Sequence, residues 1–304
     1  MRAQCQVTHR AVSFRIIDAH IWLKASIYAR SCISKLTDFC VRMNQGLACK
    51  YLTDQNNQQF EETTMISEKS NNSWQKIAAW CGPIYAAIFI IFWGAFAHNL
   101  PPPSATFGPQ ELMDNYYKPY HDGILLGNVV SCIFGMGYCI WSAQLGIMMW
   151  KREKYPILAC TQIIGGVLTG WVLTEVPAMW AACAYMTGTL SPEHVWALHT
   201  EAWFIWTQTV WITWIQVFAA GVFAFLKHGE PRLFPKWCGW VGMASALTIT
   251  PWFLIPYHKT GPFSIGGLEV FWVAYGAWIL FFVSFSIPML RGVEKQAEHD
   301  ASKV

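Results

Sequence analysis

Apolar residues dominate six stretches of the chain after Trp74, and a short polar segment closes each. The stretches run from about residue 77 to 97, 124 to 150, 157 to 186, 203 to 226, 237 to 255 and 268 to 290. Each is near or above the ~20 residues that carry a helix across about 30 Å of hydrocarbon. Backbone in lipid must satisfy its own hydrogen bonds, and the two-residue alternation of a porin-type barrel is absent. The pattern therefore predicts an all-α fold: a polytopic integral membrane protein built as a six-transmembrane-helix bundle.

Residues 1–64 follow a different pattern. Eight Lys/Arg interrupt them, and the most apolar run, IIDAHIWLKASIYAR, is broken by charge. That is neither the apolar region of a signal peptide nor a span. The stretch TDQNNQQFEETTMISEKSNNS is polar and low in complexity, as a disordered linker is. Residues 1–64 are expected to be a non-membrane N-terminal extension. Either they lie upstream of a natural start at Met65, or they extend a cytoplasmic N-terminus. The membrane domain is expected to cover 65–304.

Composition agrees with the pattern. The 304 residues are 54% hydrophobic, 16% aromatic and only 13% charged, where soluble domains carry about 25% charge. Charge then sets the threading. Outside residues 1–64, eleven Lys/Arg fall in the lead to the first span, in KREK (151–154), in KHGEPRLFPK (227–236) and in the C-terminal tail. The opposite side has Lys118 and Lys259 alone. The positive-inside rule places both termini in the cytoplasm, as an even number of spans requires. The cations are spread over loops, so nucleic acid is not an expected partner. Ten cysteines form no CxxC pair and read as small buried hydrophobes.

Candidate chemistry collects toward the acidic side. His98, His121, His199 and His258 come from four different spans at similar depth, and such a set can hold a divalent metal or haem. The bland reading is scattered interfacial histidines. No motif names a cofactor. Apart from Glu269 at the very start of the last span, Glu175 is the one carboxylate inside a span, about 27 Å along its helix from the basic side, and Pro177 beside it predicts a kink. On the fourth span Thr209, Thr213 and Gln216 form a polar stripe. Gln144 and Gln162 from other spans are expected to join it in the bundle interior. Trp203, Trp206, Trp211 and Trp214 form an aromatic stripe beside it, for packing, lipid contact or an apolar ligand wall. Gly166 and Gly170 have GxxxG spacing for close helix approach, within the chain or between subunits.

The loop IPYHKTGPFSIGG (255–267) separates the last two spans. Together with FPKWCGW (234–240) it resembles a family of uncharacterised bacterial inner-membrane proteins. These share a Pro-Arg/Lys-Trp-x-Gly-aromatic start to the fifth span and a Lys-Thr-Gly-Pro-Phe loop before the sixth. The resemblance covers roughly residues 74–290 and implies topology and a bacterial inner membrane; it carries no assigned activity. Lys259 in this loop is expected to pair with Glu269, Glu175 or an anionic ligand. The first functional expectation is binding or transport of a small, largely uncharged molecule by Glu175, Gln144, Gln162, Thr209, Thr213, Gln216 and Lys259. The alternatives are a membrane-embedded enzyme with a Glu/His site, and a structural subunit of a membrane complex. Expected partners are the bilayer and either a second copy or another membrane subunit.

Overall fold

Helices form where the apolar pattern puts them, and the departures are local. The computed structural model describes residues 68–226 and 232–301; the expected extension 1–64, Met65, Lys227 and Lys303 lie outside the described residues. Helix α1 (Glu68–Ile88) continues as a π-helix, Phe89–Phe96. A short α2 (Pro109–Leu112) runs into a second π-turn, Met113–Tyr117. Then follow α3 (His121–Trp150), α4 (Ile157–Tyr185), α5 (Pro192–Gln208) and α6 (Trp211–Phe225). Helix α7 (Lys236–Ile249) tightens into a 3-10 helix, Thr250–Tyr257. A π-turn, Leu268–Val273, opens α8 (Ala274–Ala301).

Six helical stretches are long and apolar enough to cross a membrane: Ser73–Phe96, His121–Trp150, Ile157–Tyr185, Pro192–Phe225, Lys236–Tyr257 and Leu268–Lys295. No strand occurs among the described residues. The chain is an all-α, multi-pass membrane protein.

Each spanning stretch packs on its neighbours in the chain, and the sixth packs on the first. Short connections favour antiparallel neighbours, and here they close a ring in chain order. Small residues set its tightest contact, between α3 and α4. A Cβ at Gly166 would lie 1.6 Å from Ser142 Oγ, and one at Gly170 would lie 2.2 Å from Cys139 Sγ. The GxxxG pair thus works within the chain. Pro177 lacks the N–H that Leu173 O would otherwise receive, yet α4 runs unbroken through it. Gly135 of α3 lets that region approach: a Cβ there would sit 3.2 Å from Leu173 O and 2.6 Å from Thr174 Oγ1.

Aromatic rings fill the middle of the ring of helices. Phe89, Trp93 and Trp206 stack nearly parallel, with centroids 4.5 Å and 5.5 Å apart in sequence and interplanar angles of 11° and 8°. The π-helix in the first span makes this possible, because its i→i+5 bonds bring Phe89 and Trp93 closer to one azimuth than an α-helix would. Tyr275, Trp278 and Phe282 of α8 close the cluster from the other side. The outward surface carries Ile133, Met136, Leu247 and Leu280, all exposed, as lipid contact requires.

The fourth span departs most from expectation. It is not one helix from 203 to 226. It starts at Pro192 and breaks between Gln208 and Trp211, halfway along its 34 residues. The cause is local chemistry. Thr209 Oγ1 bonds back to Ile205 O at 2.7 Å, and the chain tightens through Ile212 N to Thr209 O at 3.0 Å. Such back-bonding by Thr bends helices. The break divides the expected aromatic stripe: Trp203 and Trp206 are buried in the core, whereas Trp211 is exposed and Trp214 stacks on Phe218.

Candidate functional site

The break in the fourth span opens onto a cavity of about 40 Å³ in the middle of the ring. That is room for two or three waters or a molecule of a few heavy atoms. Thr169 and Leu173 of α4, Thr209, Val210 and Thr213 at the break, and Trp252 of the 3-10 segment form much of its wall. Tyr275 and Trp278 of α8 complete it. Three of these elements change helix type here. The α5–α6 break, the α7-to-3-10 transition at Thr250 and the π-to-α transition at Ala274 all meet the cavity.

Side chains tie the first two irregularities together. Gln208 Nε2 donates to Trp252 O at 3.4 Å, and Trp214 Nε1 donates to Thr250 Oγ1 at 3.2 Å. The polar residues of the wall are Thr169 and Thr213, whose hydroxyls lie 2.9 Å apart, with Thr209, Tyr275, Trp206, Trp252 and Trp278. The indole N–H groups of Trp252 and Trp278 are buried with no acceptor among the described residues. An unpaired buried donor costs about 1–3 kcal/mol.

Polar groups continue the line toward the basic end. One turn beyond Thr213, Gln216 accepts from Tyr138 Oη and donates to Ser142 Oγ at 3.3 Å. Gln162 Nε2 donates to the same Ser142 Oγ at 3.0 Å. Gln144 does not join them: its Nε2 donates to Gln75 Oε1 of α1 at 3.3 Å. Of the expected stripe, Gln216 and Gln162 thus meet at Ser142 in the interior, one turn from the half-buried Thr213. Thr209 caps the break, and Gln144 belongs to a separate pair nearer the basic end.

At the acidic end a second cavity of about 240 Å³ holds His199, His258 and Lys259, with Trp196, Trp203 and Ile255 in its wall. His199 belongs to α5, which the sequence pattern left outside the membrane span. Both its ring nitrogens are used. Trp203 Nε1–H donates to His199 Nε2 at 3.1 Å, so Nε2 carries the lone pair and Nδ1 the proton. Nδ1–H then donates to Tyr117 Oη at 2.8 Å. No lone pair is left for a metal. Burial pushes the phenols of Tyr117 and Tyr116 well up from their ordinary range. Tyr116 Oη donates to Ala97 O at 2.8 Å.

The other histidines stand elsewhere. His98 stacks on Tyr120 with centroids 3.8 Å apart, and His121 Nδ1 lies 2.8 Å from Asp122 Oδ1. Among the described residues no three His, Cys, Asp or Glu side chains gather as a metal site. The expected grouping of His98, His121, His199 and His258 around one ion is therefore not what the helices produce. Glu175 is half-buried on α4, with Oε2 shielded and without a partner, but it lines neither cavity. Lys259 makes no ion pair with Glu269 or Glu175 among the described residues.

The 255–267 loop is held by its own backbone. Glu269 N and Val270 N both donate to Pro262 O, at 3.2 and 3.4 Å, and Gly267 N donates to Ser264 O at 2.8 Å. A Cβ at Gly267 would lie 2.3 Å from Pro262 O, so only glycine permits the fold-back. The loop builds one wall of the acidic-end cavity. Sequence reasoning missed the break and the Trp252 wall. The TQTV stretch (207–210) and Pro251, the second residue of the 3-10 segment, are the local signals for them. No protein-family model, no curated protein and no solved structure matches the chain.

Proposed function

We propose that the protein binds, and passes across a bacterial inner membrane, a small and largely uncharged molecule that accepts hydrogen bonds. The observation that carries this reading is the helix break at Thr209–Val210, at the middle of a span and facing a cavity. Irregular backbone at membrane depth is tolerated where it lines a cavity, and interrupted helices at the midplane are how many carriers build a binding site. The threonine hydroxyls in the wall suit a neutral molecule that accepts hydrogen bonds. The succession of acidic-end cavity, central cavity and Gln216–Ser142–Gln162 run supports a route along the ring axis. Both termini face the cytoplasm in this reading, because the basic end of the bundle carries nearly all the loop cations.

Stopped-flow light scattering on proteoliposomes tests the route, with urea, formamide and glycerol as probes. Flux of at least one exceeds that of protein-free vesicles, and Thr213→Val lowers it several-fold while the protein stays monodisperse. No excess flux for any of the three, together with unchanged tryptophan fluorescence on their addition, overturns the reading. A fluorescent protein fused after Val304 tests the threading independently: it is bright with the C-terminus in the cytoplasm and dark otherwise.

A further inference from the structure

A further cavity lies at the opposite end from the His199 pocket and has a different chemistry. It measures about 600 Å³ and is lined by Lys151, Arg152, Arg232, Arg291 and Lys295. These five cations come from three separate parts of the chain: the end of α3, the approach to α7 and the last turns of α8. Among the described residues no Asp or Glu is in its wall. Glu153 and Glu294, close in sequence to these cations, are engaged elsewhere. Glu153 accepts from Leu158 N at 3.1 Å and Ala159 N at 3.0 Å and so caps α4. Glu294 pairs with Lys76 at 3.9 Å. Arg232 Nη1 is shielded from solvent and has no acceptor among the described residues.

Like charges gathered in one concavity repel one another, and a shielded guanidinium nitrogen with no acceptor is costlier still. An anion with several oxygens offsets that repulsion, and a guanidinium fork suits phosphate oxygens in particular. Apart from Gln75, the remaining wall is apolar: Met148, Leu233, Pro235, Trp237, Pro288 and Gly292. Trp237 is nearly half exposed on the flank of the bundle, where a lipid chain would lie. A basic pocket between spanning helices at the cytoplasmic side is suited to an anionic headgroup.

We propose that this cavity is a binding site for a phosphate-bearing anion, held chiefly by Arg232 and Arg291. The site does not depend on the transport reading, since it shares no residue with the central cavity.

The test uses the full chain in mild detergent, read by native mass spectrometry and by thermal unfolding. One arm adds dioleoylphosphatidylglycerol against dioleoylphosphatidylcholine; the other adds inorganic phosphate. Phosphatidylglycerol adducts that survive activation, with a raised melting temperature that phosphatidylcholine does not give, support the site with a lipid headgroup as its source. A melting shift with phosphate, and no preference between the two lipids, supports it with a free phosphate compound as its source. Arg232→Gln/Arg291→Gln weakens either effect by about tenfold or more, since a charge-assisted bond is worth at least that factor. Lys154→Gln/Lys236→Gln removes the same charge at the same end outside the cavity and leaves the effect intact. Gly292→Leu fills the cavity without altering charge and abolishes the effect, and its cooperative melt without added anion shows that the fold is kept. No shift with any probe on the native chain overturns the proposal. An equal loss in both double variants also overturns it, because the anion is then attracted by the surface and not held by the cavity.

Discussion

Gly166→Ala puts a methyl group where Ser142 already stands. An ideal Cβ at 166 lies 1.6 Å from Ser142 Oγ, 2.5 Å from Ser142 Cβ and 2.9 Å from Gln216 Nε2. Turning the hydroxyl away relieves only the first contact. The second sets carbon against carbon more than about 1 Å inside the optimum of roughly 3.5–4.0 Å, so α3 and α4 must separate there. Overpacking of this kind costs about 1–3 kcal/mol. Ser142 also receives the amides of Gln162 and Gln216, and leaving buried amides unpaired adds about 1–3 kcal/mol. The sum, about 2–6 kcal/mol, lowers Tm by roughly 5–20 °C in a chain of this size. Intrinsic tryptophan fluorescence during heating of the purified protein measures it. Ser142→Gly in the same chain returns the space but not the hydrogen bonds, and so recovers part of the loss. Gly276→Ala is the control: its Cβ would meet nothing within 4 Å, and helix propensity favours alanine by about 1 kcal/mol. A Gly166→Ala protein melting within about 1 °C of the native chain, or a double variant no better than the single one, would refute the α3–α4 contact described here.

Other consequences follow from the same geometry. Nitrogen NMR of His199 shows a neutral ring protonated at Nδ1, and Tyr117→Phe, which strips that proton of its acceptor, lowers stability by about 1–3 kcal/mol. In the 255–267 loop Gly261 has φ +85° with no neighbour within 4 Å, whereas Gly267 is hemmed in by backbone oxygens. Gly261→Ala therefore costs only the left-handed backbone penalty of about 1–2 kcal/mol, and Gly267→Ala is the more damaging of the two in the same melting assay. The carboxyl of Asp114 is held below its ordinary range, first by hydrogen bonds from Lys118 and Gln110. A depressed folded value means that its contribution is present above the ordinary carboxylate pKa of about 4 and is lost as pH falls through the folded value. Asp114→Asn thus melts slightly lower at neutral pH, and its melting curve converges with that of the native chain in acid.

Topology was legible in the sequence because lipid leaves the backbone few choices. Long apolar runs have to be helices, short loops have to join neighbours, and six spans followed at once from the positions of KREK, FPKWCGW and the 255–267 loop. The buried placing of Gln162 and Gln216 was also readable, since polar groups on apolar helices turn inward. What the pattern could not give is where a helix ceases to be an α-helix. The π-segment at Phe89–Phe96, the break at Thr209–Val210 and the 3-10 segment from Thr250 are each a small local difference in hydrogen bonding, invisible to an apolar count. Yet these irregularities decide which rings stack and where the central cavity lies. Depth along separate helices likewise gave four histidines in a layer, but azimuth decides who meets whom: His199 turned inward to Tyr117 and Trp203, while His98 and His121 found Tyr120 and Asp122. The five cations of the basic cavity show the same limit. The sequence placed them on one side by charge alone, and only the closing of the sixth helix against the first brought them around one space.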